Sequence, residues 1–146
     1  MNKAPIILIV DDDEGHAILI RDNLEAAGLR NRIEHFRDGQ AVLDFFSANS
    51  ATIANGDDTY LVLLDIRMPK VDGIEVLRRI KADDKLSKLP VIMLTTTDDA
   101  REVQRCYELG CNVYIQKPVD YERFAEAIRR LGLFVMMVVV PQVGNR

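Results

Sequence analysis

Four short apolar runs in this chain lead into residues able to do chemistry with phosphate. Run 6–10 is followed at once by Asp11, Asp12 and Asp13, run 61–64 by Asp65, and run 91–94 by Thr95, while run 113–115 ends two residues before Lys117. Clustered carboxylates repel one another unless a cation joins them. Oxygen-only ligands favour Mg²⁺, which keeps several waters and binds through one or two carboxylates plus a phosphate. A carboxylate is also a nucleophile toward phosphorus, giving an aspartyl phosphate. Phosphoryl transfer then needs positioning and charge neutralisation more than covalent help. Lys117 and Mg²⁺ would neutralise the equatorial oxygens, and Thr95 would hydrogen-bond one of them. Each residue alone has a plainer reading. An Asp after a strand is commonly a helix N-cap, the role expected of Asp13, and a Lys before a Pro is commonly a surface loop residue. Their convergence is what points to a site.

Convergence depends on the elements that carry these residues. The four apolar runs read as strands buried on both faces. The more polar run 32–36 reads as an edge strand. Helical patterns lie between them. Ala17, Ile20, Leu24 and Ala27 share one face, with Gly28 as a stop. Val42, Phe45 and Phe46 mark a second helix. A third opens at Asp72, with Glu75 in capping-box spacing. Val103, Cys106 and Tyr107 mark a fourth that stops at Gly110, and a fifth runs from Asp120 through Leu131 to Gly132. Segment 47–59 reads as a long polar loop. Strands alternating with helices imply an α/β fold, a doubly wound five-stranded parallel sheet with helices on both faces. Such sheets bind ligands beyond the C-terminal ends of their strands. The acids, Thr95 and Lys117 all belong to that rim.

Composition sets the outer limits. The chain has 146 residues, 48% hydrophobic and 29% charged, as an ordinary globular domain has. The division expected is a domain over 1–131 and a C-terminal apolar extension over 132–146. A formal net charge of −4 argues against a nucleic-acid partner. Cys106 and Cys111 form no Cys-x-x-Cys pattern and read as reduced thiols of a cytoplasmic protein. The N-terminus does not read as a signal peptide, and run 133–140 is too short to span a bilayer, so no membrane partner is expected. His16 and His35 lack sequence partners for metal binding or nucleophilic catalysis.

Taken in order, Asp11-Asp12, Leu64-Asp65-Ile66-Arg67-Met68-Pro69, Asp72-Gly73, Leu94-Thr95-Thr96 and Tyr114-Ile115-Gln116-Lys117-Pro118 resemble the receiver domain of two-component response regulators, the CheY-like family. The resemblance covers residues 5 to about 131. It implies a flavodoxin-like sheet of order 2-1-3-4-5. It implies Asp65 as phosphoacceptor, with Mg²⁺ bound directly by Asp12 and by Asp65, through water by Asp11, and by the backbone carbonyl of Arg67. It implies Thr95 and Tyr114 as a switch pair and Lys117 as the phosphate-binding cation. The phosphodonor would be a phosphohistidine on a sensor histidine kinase or a histidine phosphotransfer protein. Arg67 and Thr96 stand where the family varies, and both bear on the lifetime of the adduct. The Gly15-His16-Ala17 segment, loop 47–59 and the apolar tail further resemble stand-alone receivers that partner bacterial phytochrome kinases. No output domain is expected, so the protein would act by docking or by passing its phosphoryl group on.

Two rivals are weighed on the same residues. Haloacid-dehalogenase-like phosphohydrolases carry a second Asp two residues after the nucleophile, where this chain has Arg67. A degenerate receiver would lack an acid or the Lys, and here Asp11, Asp12, Asp65, Thr95 and Lys117 are all present. The tail 133–140, rich in β-branched residues and closed by Pro141, reads as a strand that would either fold onto its own subunit or, the sharper reading, pack across a homodimer.

Overall fold

The computed structural model describes residues 4–137. The β-branched and leucine-rich runs form β1 (Ile6–Val10), β2 (Ile33–Phe36), β3 (Tyr60–Leu64), β4 (Val91–Thr95) and β5 (Val113–Gln116). Between and after them lie α1 (Glu14–Ala26), α2 (Gly39–Ala48), α3 (Ser50–Ala54), α4 (Gly73–Ala82), α5 (Ala100–Leu109) and α6 (Tyr121–Val135). Every strand pairing is parallel and the order is β2-β1-β3-β4-β5, the doubly wound, flavodoxin-like sheet expected. The largely apolar strands β1, β3 and β4 are buried along their whole length, and the more polar β2 lies at an edge.

Alternation along the strands divides the core in two. Leu8, Val10, Val62, Leu64 and Met93 face one layer, filled by Val42 and Phe46 of α2, Ile53 of α3, Val76, Leu77 and Ile80 of α4, and Cys106 of α5. Ile7, Ile9, Leu61, Leu63, Ile92 and Leu94 face the other, covered by α1 and α6 through Ala17, Ile20, Leu24, Phe124, Ile128 and Leu131. Local chemistry fixes the helix starts. Asp13, Asp38, Asp72, Asp99 and Asp120 each cap a helix by accepting a backbone N–H in its first turn. Gly110 ends α5 in the left-handed region, at φ 106°.

Two expectations are corrected. Segment 47–59 is not simply a polar loop: α2 continues to Ala48, and α3 then buries Ile53 completely beneath it. The strand expected over 133–140 begins as helix instead. Leu133, Phe134 and Val135 belong to α6, which runs straight through Gly132, and residues 138–140 lie outside the described residues. Gly132 is there for close packing. A Cβ at that position would stand 3.0 Å from the Cβ of Ala27, the C-cap of α1, and 3.4 Å from a Leu24 methyl. The glycine lets α6 approach α1, and tertiary packing outweighs its weak helix propensity.

Candidate functional site

Sheet register brings the chemical residues together. Val10 pairs with Leu64, so Asp11 and Asp65 emerge side by side, and the Asp65 N–H donates to the Val10 carbonyl at 2.9 Å. On the other side of β4, the Lys117 N–H donates to the Thr95 carbonyl at 2.7 Å. The rim at the β1–β3 reversal therefore gathers Asp11, Asp12, Asp65, Thr95 and Lys117, as the switch-point rule requires.

At its centre is a buried ammonium. Lys117 is 3% exposed, and its Nζ stands 2.6 Å from Asp11 Oδ2, 3.4 Å from Asp65 Oδ2 and 3.2 Å from His16 Nδ1. Burial pushes the Asp11 carboxyl above the usual carboxylate range, against the opposing pull of Lys117. The other Asp11 oxygen accepts the Asp13 N–H at 2.9 Å. Asp65 Oδ1 accepts the N–H of its neighbour Ile66 at 2.8 Å, which leaves Oδ2 toward Lys117. Asp12 is exposed, and carboxylate oxygens of Asp11, Asp12 and Asp65 lie within 4.8 Å of one another. Three acids at that separation suit a hard divalent cation. Thr95 is wholly buried, and its Oγ1 has no hydrogen-bond partner. A buried hydroxyl left unpaired costs free energy, so this one is available to an incoming acceptor.

The walls of the site are tight. The Gly73 N–H donates to the Ile66 carbonyl at 2.8 Å, and a Cβ on Gly73 would fall 1.9 Å from the Asp65 carbonyl oxygen. Only glycine lets the start of α4 press on the segment carrying Asp65.

Arg67 and Tyr114 sit in a second layer. The Arg67 guanidinium pairs with Glu102 of α5 at 3.0 Å, and Glu102 also accepts the Thr97 hydroxyl at 2.8 Å. The Tyr114 hydroxyl donates to the Thr97 carbonyl at 2.7 Å, and burial pushes its phenol up to about 12. Thr97 thus links the loop after Asp65 to the tyrosine on β5.

Both histidines, passed over in the sequence, contact the site. His35 on β2 places Nε2 2.8 Å from the Asp11 carbonyl, which makes the ring the donor. The His16 ring meets Lys117, and the His16 backbone N–H donates to the Asp13 cap, which holds the Asp13 carboxyl below its usual range. Each carried a faint signal: His35 is the penultimate residue of an edge strand, and His16 lies one turn past the acids.

Residues 7–129 match the response regulator receiver domain. Response regulator Rcp1 of Synechocystis is 34% identical over 138 residues, covering 94% of this chain and 93% of Rcp1. The Mn²⁺-bound structure of Rcp1 superposes with a TM-score of 0.83, at 28% identity, over 94% of this chain and 99% of that one. A receiver domain from Rhodospirillum rubrum gives a TM-score of 0.90 at 46% identity, covering 96% and 99% of the two chains. The phosphorylated cyanobacterial phytochrome response regulator RcpA gives 0.84 at 27%, covering 95% and 99%. With the fold, the gathered acids and these matches in agreement, the chain belongs to the response regulator receiver domain family of two-component signalling.

Proposed function

We propose that this protein is a phosphorylation switch whose acceptor is Asp65. The observation that carries the reading is a buried Lys117 spanning Asp11 and Asp65, beside a buried Thr95 hydroxyl without a partner. Asp65 Oδ2 would form the new O–P bond as the P–N bond of a donor phosphohistidine breaks. The donor imidazole leaves with the electron pair and takes up a proton. Lys117 would meet one phosphoryl oxygen with its charge, and the Thr95 hydroxyl would donate to another. Asp12 and Asp65 would hold Mg²⁺ directly, Asp11 through water, and Arg67 by its backbone carbonyl. The tight acid cluster fits that group. When bound, the ion neutralises charge on the transferring phosphoryl oxygens.

Drawing Thr95 toward the phosphoryl group would alter the space beside Tyr114, and with it the face formed by α5, β5 and α6. The phosphoryl group shifts that equilibrium only by its differential affinity for the two states. The protein is no enzyme for a separate substrate in this reading; it catalyses only its own phosphorylation and dephosphorylation. Its donor would be a cytoplasmic sensor histidine kinase or histidine phosphotransfer protein, and the similarity to RcpA favours a phytochrome kinase. Output would be docking or onward transfer, from a homodimer. Acetyl phosphate with Mg²⁺ should add one hydroxylamine-sensitive phosphoryl group to the wild type and none to Asp65→Asn. Stoichiometric labelling of Asp65→Asn would reject the assignment.

A further inference from the structure

Lys117 has three N–H donors on a buried ammonium, and three acceptors meet it: Asp11 Oδ2 at 2.6 Å, His16 Nδ1 at 3.2 Å and Asp65 Oδ2 at 3.4 Å. The contact to Asp65 is the longest. Asp11 and His16 are therefore the anchors, and the remaining N–H is the one directed at Asp65.

We infer that His16 is a positioning residue for phosphoryl uptake, aiming Lys117 at Asp65 through an unprotonated Nδ1. This rests on Asp65 being the acceptor. Nδ1 faces the Lys117 ammonium at 3.2 Å, so a proton there would set two donors against each other and take an acceptor from the buried Lys117. Asp13 Oδ2 lies 3.6 Å from the same nitrogen, farther than Lys117. The ring proton therefore sits on Nε2. The ring packs edge-on against Phe124 of α6, centroids 5.6 Å apart at 77°, while the backbone His16 N–H, donating to Asp13 Oδ1 at 3.1 Å, sets the helix start that carries it. Without the imidazole, Lys117 keeps one short anchor, on Asp11, and its direction toward Asp65 is lost.

His16→Asn keeps an acceptor oxygen near the place of Nδ1, while His16→Gln moves its amide toward the place of Nε2. Labelling rates from acetyl phosphate with Mg²⁺ should fall roughly tenfold in His16→Ala and His16→Gln, the scale of one hydrogen bond to a charged group. His16→Asn should recover most of the rate. If His16→Ala does not fold, the Asn and Gln variants carry the same comparison. In the wild type at neutral pH, ¹⁵N NMR should show a non-protonated Nδ1 whose signal shifts in Lys117→Met. A protonated Nδ1, or His16→Gln labelled as fast as wild type, would overturn the inference while leaving Asp65 as acceptor. A wild type that takes no label at all would overturn the acceptor reading itself, and this inference with it.

Discussion

Charge balance among a few side chains decides how the site behaves without metal. Lys117 touches Asp11 and Asp65, and Asp12 adds a further negative charge to the same cluster. Removing that charge should relieve repulsion. Asp12→Ala should therefore be more stable than wild type in chelator, by up to about 1 kcal/mol, since Asp12 is exposed and screened. Millimolar Mg²⁺ should raise the melting temperature of the wild type through mass action and leave Asp12→Ala almost unmoved. Thermal melts with and without Mg²⁺ check both, and equal Mg²⁺ responses would count against the metal site. At this scale the sequence was readable where one residue has one role: Asp13 caps α1, and Asp65 closes β3. It was unreadable where a role depends on a distant partner. His16 and Lys117 are 101 residues apart, and no local pattern announces their contact.

Among the elements, α4 shows how packing holds a site in place. Its first residue, Gly73, leaves no room for a Cβ against the Asp65 carbonyl, so Gly73→Ala must shift backbone. A cost of about 3 kcal/mol or more is expected, as for other overpacked positions, together with slower labelling. Gly15→Ala, where a Cβ would meet the Asp13 carboxylate at 3.2 Å in an exposed first turn, should stay within about 1 kcal/mol of wild type. Denaturant melts of the two variants test the contrast. The link from β5 to the loop after β4 predicts a pH effect. The Tyr114 phenol is pushed by burial from 10.0 up to about 12, so the folded state holds this proton more tightly than the unfolded state. Its contribution is whole below pH 10 and is lost as pH rises through about 12. Tyr114→Phe should flatten the fall in stability across that range, and an unchanged slope would contradict it. Strand positions and the helix starts at Asp13, Asp72 and Asp120 were legible because apolar runs and Asp caps are local, whereas the strand order came with the family resemblance. The helical start of the tail was not. Gly132 signals a stop locally but is required by close packing on Ala27, a contact between the first helix and the last.

For the whole molecule, the exposed apolar residues at the end of α6 are the surface left to explain. Leu133, Phe134, Met136 and Met137 are exposed, and Phe134 borders an apolar groove of about 370 Å³ with Ile92, Val113, Ile115 and Leu131. Full burial of each large side chain contributes roughly 1.5–3 kcal/mol, so the proposed symmetric homodimer would bury the helical end of α6 rather than a strand. Light scattering should show a dimer at micromolar concentration, and a Leu133→Glu, Phe134→Glu double variant should be monomeric. A wild type that stays monomeric at high concentration, with and without beryllofluoride, would contradict the dimer.

All of this rests on where the phosphoryl group lands. The direct measurement is to treat the full chain with acetyl phosphate and Mg²⁺, reduce the acyl phosphate with borohydride, and locate the homoserine by peptide mass spectrometry. The expected result is a single modified residue at position 65, absent when Mg²⁺ is chelated. Modification at Asp11, Asp12 or a histidine instead, or none at position 65 in folded protein with Mg²⁺ present, would contradict the account.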